Sequence, residues 1–252
     1  MSIQIIKKEE QADSNFNNGE ILEKKPIGFP QDRGITKPYS NLFYWAHAWT
    51  LNKKSTIGLH PHQGFEICSF VLEGSINHFD TKQDKWISLN KGDVQIIRAG
   101  NGISHAEELN EKSEIFQIWL DPNIQLSITK EASYDDYKSE DFEIVEKNGT
   151  KIKKIAGNNC PMEIFSEGIE INTYDILEKI ELNLELKNDS VYSYFVLDGD
   201  ASINEEKVEK GDFFIVSDSK DLVIIASSIT KIFEIKSPKR PSYKTYSERF
   251  RR

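Results

Sequence analysis

The residues best suited to chemistry are two pairs of side chains, His60 with His62 and His105 with Glu107. Successive side chains of a β-strand point to opposite faces, so the two members of each pair share a face. Three neutral imidazoles and one carboxylate suit a divalent transition metal, and four ligands leave coordination positions free for water, dioxygen or a substrate. The pattern therefore predicts a metal centre at His60, His62, His105 and Glu107.

Another histidine and two cysteines could also bind metal, but the sequence favours structural roles for His47 and Cys68. His47 lies in the aromatic, strand-like segment Leu42–Trp49 and has no partner at ligand spacing, so we expect it to pack among aromatic rings. Two cysteines, Cys68 and Cys160, are too few for a disulfide framework. Cys68 shares the parity of His60, yet we expect a buried small side chain there because free cysteine behaves as a hydrophobe.

The elements that must position these residues are short strands separated by Gly and Asp turns. A first strand is expected at residues 3–6, and the aromatic segment ending at Trp49 is another. Further strand-like runs are Glu66–Leu72, Ser75–Phe79, Lys85–Leu89, Val94–Ile97 and Ile115–Leu120. Such spacing is typical of an antiparallel sandwich or small barrel, which makes the fold class all-β. The best helical candidate is Lys130–Asp141, which we interpret as a linker with a turn or two of helix.

The second half of the sequence repeats the first. Phe70-Val-Leu-Glu-Gly74 recurs as Phe195-Val-Leu-Asp-Gly199, and Lys91-Gly-Asp93 recurs as Lys210-Gly-Asp212. Matches at similar offsets indicate a duplicated barrel. The positions equivalent to His60 and His62 are either Glu185 and Lys187 or, with a slip of one residue, Leu184 and Leu186. Since neither pair completes such a site and all five histidines lie in the first half, only the first barrel is expected to bind metal.

These patterns predict four consecutive regions. They are a first barrel with the metal site at residues 1–125, a linker at 126–148, a second barrel without metal ligands at 149–236, and a basic tail at 237–252. The tail interleaves basic and aromatic residues, which are Lys239, Arg240, Tyr243, Lys244, Tyr246, Arg249, Phe250, Arg251 and Arg252. One short basic run on an acidic chain favours a solvated or back-packed tail over a nucleic-acid or acidic-partner surface.

Composition limits the remaining classes of function. The chain has 252 residues and a formal net charge of -9, which argues against a general nucleic-acid surface because phosphate binding needs clustered Lys and Arg. No apolar run is long enough to span a bilayer, and the first ten residues lack the apolar region of a signal peptide. We therefore expect a cytoplasmic protein that does not bind membranes.

An ordered set of motifs resembles a known family. The motifs are His60-Pro-His62-x-Gly-Phe-Glu66, Leu72-Glu-Gly74, His78-x-Asp80, Gly92-Asp93, Ala99-Gly-x-Gly-Ile-x-His105-x-Glu107 and Gln117-Ile-Trp119. They resemble the pirin family of the cupin superfamily, most densely over residues 58–140. The sequence departs from the family at Ala46 and Ala48, where the family tends to carry acidic residues, and this departure concerns the mouth of the pocket rather than the ligands.

The resemblance implies a bicupin with one mononuclear metal, commonly iron, bound in the first barrel by His60, His62, His105 and Glu107. Other cupins place their carboxylate ligand where Glu66 stands, so Glu66 is the rival to Glu107. His78 and Asp80 are expected to be a structural hydrogen-bonded pair. Arg98, just before the glycine loop, could steady a carboxylate or phenolate, with a surface arginine as the alternative.

The resemblance also implies a reaction. It points to quercetin 2,3-dioxygenase-like activity, with an aromatic hydroxyketone and dioxygen as substrates, Fe(II) or another divalent metal as cofactor, and Glu107 as both ligand and catalytic proton acceptor. The alternative is a non-enzymatic regulator whose metal redox state sets its affinity for a protein partner. A third interpretation is a structural bicupin in which the metal only stabilises the fold.

Overall fold

The computed structural model describes residues 2–249, which form an almost entirely β-stranded chain. The first twelve strands are β1 (Ser2–Ile6), β2 (Ala12–Phe16), β3 (Ile21–Ile27), β4 (Leu42–Thr50), β5 (Ser55–His62), β6 (Glu66–Glu73), β7 (Ser75–Asp80), β8 (Lys85–Asn90), β9 (Val94–Arg98), β10 (Ile103–Leu109), β11 (Glu114–Leu120) and β12 (Ser133–Tyr137). The next ten are β13 (Ile144–Lys147), β14 (Thr150–Ala156), β15 (Glu170–Ile176), β16 (Glu181–Glu185), β17 (Ser190–Asp198), β18 (Asp200–Ile203), β19 (Glu206–Glu209), β20 (Phe213–Ser217), β21 (Asp221–Ala226) and β22 (Thr230–Pro238).

Helices are few and short. Within the described residues the two α-helices are α1 (Ile124–Ser127) and α2 (Tyr246–Arg249), and 3-10 helices form at Lys8–Glu10, Asn17–Gly19 and Ser139–Asp141. Over residues 2–249, every helix falls short of the length and apolar character that a bilayer crossing requires. The all-β fold class expected from the sequence is confirmed.

The strands form two compact units with the same plan. The first barrel comprises Gln11–Ser139 and the described residues from Tyr243 onward, and the second comprises Glu140–Ser242 and the described residues up to Glu10. In the first barrel a sheet ordered β12-β9-β6-β11-β4-β3-β2 accompanies a sheet ordered β5-β10-β7-β8. In the second barrel the corresponding orders are β1-β20-β17-β22-β15-β14-β13 and β16-β21-β18-β19. The duplication is therefore confirmed strand by strand, because the two units have the same order of strands.

The repeated Lys-Gly-Asp segments are equivalent turns of the two barrels. Gly92 and Gly211 have φ angles of +88° and +96°, values that residues other than glycine rarely adopt. Asp93 accepts a hydrogen bond from the backbone N–H of Asn90 at 3.0 Å, and Asp212 accepts the matching bond from Glu209 at 3.0 Å. The same sequence thus builds the same turn before the strands β9 and β20.

A closed apolar core lies between the two sheets of each barrel. In the first barrel Val71 of β6 packs with Ile76 of β7 and Leu109 of β10, all fully or almost fully buried. In the second barrel a larger apolar cluster joins strands of both sheets, among them Val196 of β17 and Ile203 of β18. Because inward and outward residues alternate along each strand, this packing fixes which side chains of β5 and β10 face the interior.

The compact units divide the chain differently from the predicted ranges 1–125, 126–148, 149–236 and 237–252. Strand β1 was expected in the first barrel, but it pairs with β20 of the second. The helix expected over Lys130–Asp141 is wrong for most of its length, because Ser133–Tyr137 is strand β12 and pairs with β9. Only Ser139–Asp141 is helical, as a single 3-10 turn.

The C-terminal segment returns to the first barrel. Tyr243 donates a hydrogen bond from its hydroxyl to the carbonyl oxygen of Asp121 at 2.7 Å, and Tyr246 packs edge-on against Phe43 with ring centroids 4.2 Å apart. Of the two expected arrangements, solvated or back-packed, Tyr243 and Tyr246 take the back-packed one. Phe250, Arg251 and Arg252, which also carried the prediction of a basic tail, lie outside the described residues.

Candidate metal centre

Strands β5 and β10 bring three histidines together. The strands are antiparallel, and His60 lies directly opposite His105 in their register. The imidazole centroids are 4.8 Å apart for His60 and His62, 4.5 Å for His60 and His105, and 4.8 Å for His62 and His105. One ring nitrogen from each histidine lies within 4.8 Å of the corresponding nitrogens of the other two. The predicted convergence of these three residues is confirmed.

A β-bulge in β5 sets the orientation of the first histidine pair. Glu107 pairs with Ile57 while His105 pairs with His60, so β5 has one residue more than β10 between these two positions. Such an extra residue switches the face to which the following side chains point. Ile57 therefore packs against the apolar core, and His60 faces the metal centre, while Leu59 between them is 57% exposed.

Ring nitrogens of His62 and His105 are buried without partners among the described residues. Neither ring nitrogen of His105, which is fully buried, has a hydrogen-bond partner among the described residues, and the same holds for Nε2 of His62. A buried polar atom left unsatisfied costs on the order of 1–3 kcal/mol, so such groups are rare without a ligand. Nδ1 of His60 lies 2.8 Å from the carbonyl oxygen of Gly58. Three converging imidazoles, two of them with unused buried nitrogens, are the arrangement that a bound metal ion would satisfy.

The electrostatics keep these imidazoles in the form that binds metal. Burial, with a smaller contribution from His60, lowers the pKa of His62 to about 4. Burial also lowers the pKa of His105 well below its ordinary value, and His60, His62 and His78 lower it further. Because only the neutral imidazole has a lone pair for a metal, both residues are ready to ligate at neutral pH.

The fourth predicted ligand, Glu107, is fully buried beside this group. Its Oε1 accepts a hydrogen bond from the Ser69 hydroxyl at 2.9 Å, and its Oε2 accepts one from the side-chain amide of Gln117. Gln117 is itself held by Trp119, whose Nε1 donates to Oε1 of Gln117 at 3.0 Å. The carboxylate is therefore fixed by the sheet that faces β10, as an oriented metal ligand requires.

Potential ligand atoms fall into two overlapping clusters. One consists of His60, His62 and His105, and the other of His78, His105 and Glu107. His105 belongs to both clusters, so the four predicted ligands are neighbours without forming a single set of mutually close atoms. Sequence reasoning did not propose His78 for the site. The signal that locates it is the register of β7 and β10, which pairs His78 with Glu107.

His78 is held by the partner that the sequence predicts. Its Nε2 lies 3.2 Å from Oδ2 of Asp80, and both side chains are fully buried. Oδ1 of Asp80 accepts hydrogen bonds from the backbone N–H groups of Lys82 and Gln83, at 2.8 and 2.7 Å. The ring of His78 also stacks on Tyr134 with centroids 5.3 Å apart. The expected hydrogen-bonded pair of His78 and Asp80 is confirmed.

The rival carboxylate lies elsewhere. Glu66 is on β6, three residues before Ser69, so it points to the opposite face of the sheet from the hydroxyl that binds Glu107. Its Oε1 lies 4.0 Å from Nε of Arg98, and Arg98 also pairs with Asp135 at 2.5 Å. Among the described residues, Glu66 belongs to neither ligand cluster.

The remaining candidates have structural surroundings. His47 lies 3.4 Å from Oε2 of Glu114 and contacts the Phe116 ring, and within residues 2–249 it joins neither cluster. Cys68 is fully buried, and this burial raises the pKa of its thiol well above the ordinary value. These surroundings match the packing roles expected of His47 and Cys68.

A pocket of about 580 Å³ opens on the centre. His60, Glu107 and Gln117 lie at one part of its wall, and the side chains of Phe16, Phe29 and Trp119 supply apolar surface. This volume is typical of a cavity that holds a small organic molecule. A second, more open depression of about 530 Å³ is lined by His62 and Ile103, among other residues.

Comparison with known proteins finds similarity to one family. The pirin family model matches residues 35–120, which include all four predicted ligands. Pirin-1 of Arabidopsis thaliana is 32% identical over 170 residues, which cover 66% of this chain and 56% of Pirin-1. Over residues 35–120 the chain is therefore similar to the pirin family. Quercetin 2,3-dioxygenase of Escherichia coli is 40% identical over 68 residues, which cover 26% of this chain and 29% of that enzyme.

The aligned segments thus span about half, or less, of the length of these curated relatives. The fold match is more extensive. The bacterial pirin YhhW from Escherichia coli, solved in complex with nickel(II), superposes with a TM-score of 0.77 at 20% identity, covering 94% of this chain and 99% of that one. At this identity the match shows a shared pirin fold.

Among the described residues, only the first barrel has polar side chains at the four ligand positions. In the second barrel β16 pairs with β21 so that Leu184 lies opposite Leu222, as His60 lies opposite His105 in the first. Leu186 takes the place of His62, and Ile224 takes that of Glu107. All four side chains belong to or pack against the apolar core. The sequence left two alternatives for the counterparts of His60 and His62. The structure shows that the counterparts are Leu184 and Leu186.

The donor set in the first barrel fits a divalent transition metal. Buried neutral imidazoles with unused nitrogens, a carboxylate held by two hydrogen bonds and an adjoining cavity are the features of a metal site with open positions. Nitrogen and carboxylate ligands of this kind suit iron, nickel, zinc and other first-row ions, so the donor set alone does not select one metal.

Proposed function

We propose that this chain is a metal-dependent dioxygenase that acts on flavonol-like, quercetin-type substrates. His60, His62, His105 and Glu107 are the proposed ligands of one divalent metal, Fe(II) in the cell. A small aromatic hydroxyketone and dioxygen are the proposed substrates. Glu107 is the proposed catalytic residue and accepts the proton of the substrate hydroxyl.

The observation that carries the proposal is the convergence of three histidines, of which His62 and His105 have unpartnered buried nitrogens, next to a pocket of substrate size that His60 lines. His60 and Glu107 line the same cavity of about 580 Å³ as the aromatic rings of Phe29 and Trp119. The similarity of 68 residues of this chain to a quercetin 2,3-dioxygenase supports the choice of reaction. A metal bound here supplies Lewis-acid and redox chemistry.

The protein side chains then have distinct tasks. Phe29 and Trp119, with ring centroids 5.7 Å apart, form an apolar wall against which a planar substrate packs. Ser69 and Gln117 hold the carboxylate of Glu107 by one hydrogen bond to each oxygen. Each carboxylate oxygen has a second lone pair, so Glu107 keeps the capacity to accept a proton while it remains oriented.

Oxygen uptake with quercetin tests this function. After anaerobic loading with Fe(II), addition of air and quercetin is expected to consume equal amounts of dioxygen and quercetin. His60→Ala is expected to abolish uptake and to lower the metal content measured by elemental analysis, because it removes a ligand from the pocket side of the centre.

His47→Ala is the matched control. It removes a histidine of the same barrel that lies outside both ligand clusters of the described chain, so both metal content and uptake are expected to persist. A protein that binds metal but consumes no dioxygen with any flavonol or other aromatic hydroxyketone would contradict the dioxygenase and favour the regulatory alternative.

A further inference from the structure

A polar cluster on the pocket wall has no role in holding the metal ligands. It consists of Glu23 and Lys25 on β3 and Tyr44 on β4, and all three side chains line the cavity that His60 and Glu107 also line. Glu23 and Tyr44 are only 4% and 5% exposed, and Lys25 is 8% exposed. Burying charged and hydroxyl groups is costly, so a buried polar cluster in a largely apolar ligand pocket calls for a functional explanation.

The cluster is internally hydrogen-bonded but not saturated. The Tyr44 hydroxyl donates to Oε1 of Glu23, and the Ser14 hydroxyl donates to Oε2. Nζ of Lys25 lies 3.6 Å from Oε2 of Glu23 and 3.2 Å from Oδ2 of Asp32. A carboxylate offers about four acceptor sites and an ammonium three donors, so acceptors and donors remain for a ligand.

The position of the cluster relative to the centre follows from the sheet order. Gln117, which holds Glu107, is on β11, and β4 separates β11 from β3. Glu23 lies opposite Ala48, two residues along β4 from the partner of Gln117. With neighbouring strands about 4.8 Å apart and a rise of about 3.4 Å per residue, the backbones of Glu23 and Gln117 are about 12 Å apart. Ala46 pairs with Gln117 on the intervening strand, and Ala48 lines the pocket. These small side chains leave the space between the two polar ends open to a ring system.

Tyr44 is set to remain a hydrogen-bond donor. Burial raises the pKa of its phenol well above the ordinary value, and the negative charges of Glu23, Asp32 and Glu107 raise it further. Its ring stacks on Phe29 with centroids 4.6 Å apart, which fixes the direction of the hydroxyl. The Glu23 carboxylate is therefore held in place by a rigid donor, with its remaining lone pairs available to a ligand.

We propose that Glu23 and Tyr44, with Lys25, form a hydroxyl-recognition subsite that selects polyhydroxylated aromatic substrates. The Glu23 carboxylate accepts a hydrogen bond from a phenolic hydroxyl of the substrate, and the Lys25 ammonium donates to the oxygen of a neighbouring hydroxyl. The inference rests on the proposed function, because it assumes that the metal end of the same pocket binds the hydroxyketone. Phenols with two adjacent hydroxyl groups fit this combination of acceptor and donor best.

Equilibrium binding without dioxygen tests the subsite separately from catalysis. The probes are quercetin and 3-hydroxyflavone, which share the hydroxyketone that faces the metal, while 3-hydroxyflavone lacks the additional phenolic hydroxyls. The Fe(II)-loaded protein is titrated anaerobically with each probe. We expect quercetin to bind at least about tenfold more tightly, since hydrogen bonds to charged groups are among the stronger ones.

Two variants remove the recognition group by different routes. Glu23→Gln and Tyr44→Phe are each expected to weaken quercetin binding by about tenfold and to leave the dissociation constant of 3-hydroxyflavone within about twofold. Glu73→Gln is the matched control, because it changes an exposed carboxylate whose ion pair is with Lys91 on the surface. Thermal melting of each variant shows whether it is folded.

An unchanged preference for quercetin in both variants would overturn the subsite, and so would an equal loss of both probes. A parent protein that does not prefer quercetin would overturn it too. Oxygen uptake is measured separately in air. A preference that depends on Glu23 in a protein without uptake supports the subsite while contradicting the dioxygenase, so the two proposals fail in different ways.

Discussion

At the scale of single residues, the sequence predicts that His60, His62 and His105 lie together, but it does not predict every side chain that surrounds them. Strand alternation correctly places His60 and His62 on one face, because that rule depends only on neighbouring residues. The neighbours of His105 depend on pairing between distant strands. His78 lies close to His105 and Glu107 because the register of β7 and β10 pairs His78 with Glu107. Glu66 does not, because its side chain points to the opposite face of β6 from Ser69.

The second barrel contains a buried carboxyl group at the position where the first barrel has Gln117. Phe116 and Phe233 pair with the repeated Phe70 and Phe195, so Glu234 is the counterpart of Gln117. The carboxyl accepts hydrogen bonds from the Asn172 amide at 2.8 Å and the Tyr174 hydroxyl at 3.1 Å. Burial is the main cause that raises the pKa of Glu234, despite these bonds.

This raised pKa predicts a loss of stability with rising pH. The folded state binds the Glu234 proton more tightly than the unfolded state, so this stabilisation is complete below the ordinary Glu pKa of about 4.3 and is lost as pH rises through the folded pKa. Glu234→Gln removes the charge. Relative to the parent, its free energy of unfolding is expected to increase by about 1 kcal/mol or more between about pH 4 and about pH 8.

Urea unfolding of both proteins at the two pH values measures this difference. Glu185→Gln, which alters an exposed carboxyl group of β16, is the matched control. A difference between Glu234→Gln and the parent that stays constant or shrinks with rising pH would contradict the assignment of a buried, proton-retaining carboxyl group.

At the scale of elements, strands are predicted better than their partners. The strand at residues 3–6 was predicted, yet β1 pairs with β20 of the second barrel. The isoleucines of β1 favour a strand at the edge of either barrel's sheet. Which sheet it joins depends on long-range packing, which the local sequence does not determine. Strand β12 takes the corresponding edge in the first barrel by pairing with β9. Its charged composition suggested a helix, but Tyr134 packs into the core beside Ile97.

Removal of β1 tests its assignment to the second barrel. A protein without residues 1–6 exposes the edge of β20, so amide hydrogen exchange over Phe213–Ser217 is expected to accelerate by about tenfold or more. Strand β9, Val94–Arg98, is the internal control, because β12 covers its edge. Faster exchange confined to β9, with β20 unchanged, would show that the N-terminal strand belongs to the first barrel instead.

At the scale of the whole molecule, one architecture is used twice with different interiors. The repeated Phe-Val-Leu segments and Lys-Gly-Asp turns made the duplication predictable, because they mark equivalent strands and turns. The exact correspondence of β5 with β16 was not predictable. Counting back from Phe195 leads to Glu185, whereas the register places Leu184 opposite Leu222. A shift of one residue reverses every side chain of a strand, so only the pairing decides between them.

The consequence is a functional asymmetry between the barrels. The first combines converging imidazoles with a pocket, and the second places leucine and isoleucine at the same positions. The net charge of -9 does not distinguish a dioxygenase from a regulatory protein, since net charge bears chiefly on solubility. The central claim is therefore that a single metal ion binds in the first barrel, to side chains from β5 and β10.

Anomalous diffraction from crystals of the metal-loaded protein tests this claim most directly. We predict one anomalous peak in the first barrel, about 2.0–2.2 Å from a nitrogen of each of His60, His62 and His105 and from a carboxylate oxygen of Glu107. A peak bound by His78, His105 and Glu107 without His60 and His62, a peak in the second barrel, or no peak after loading would contradict the account.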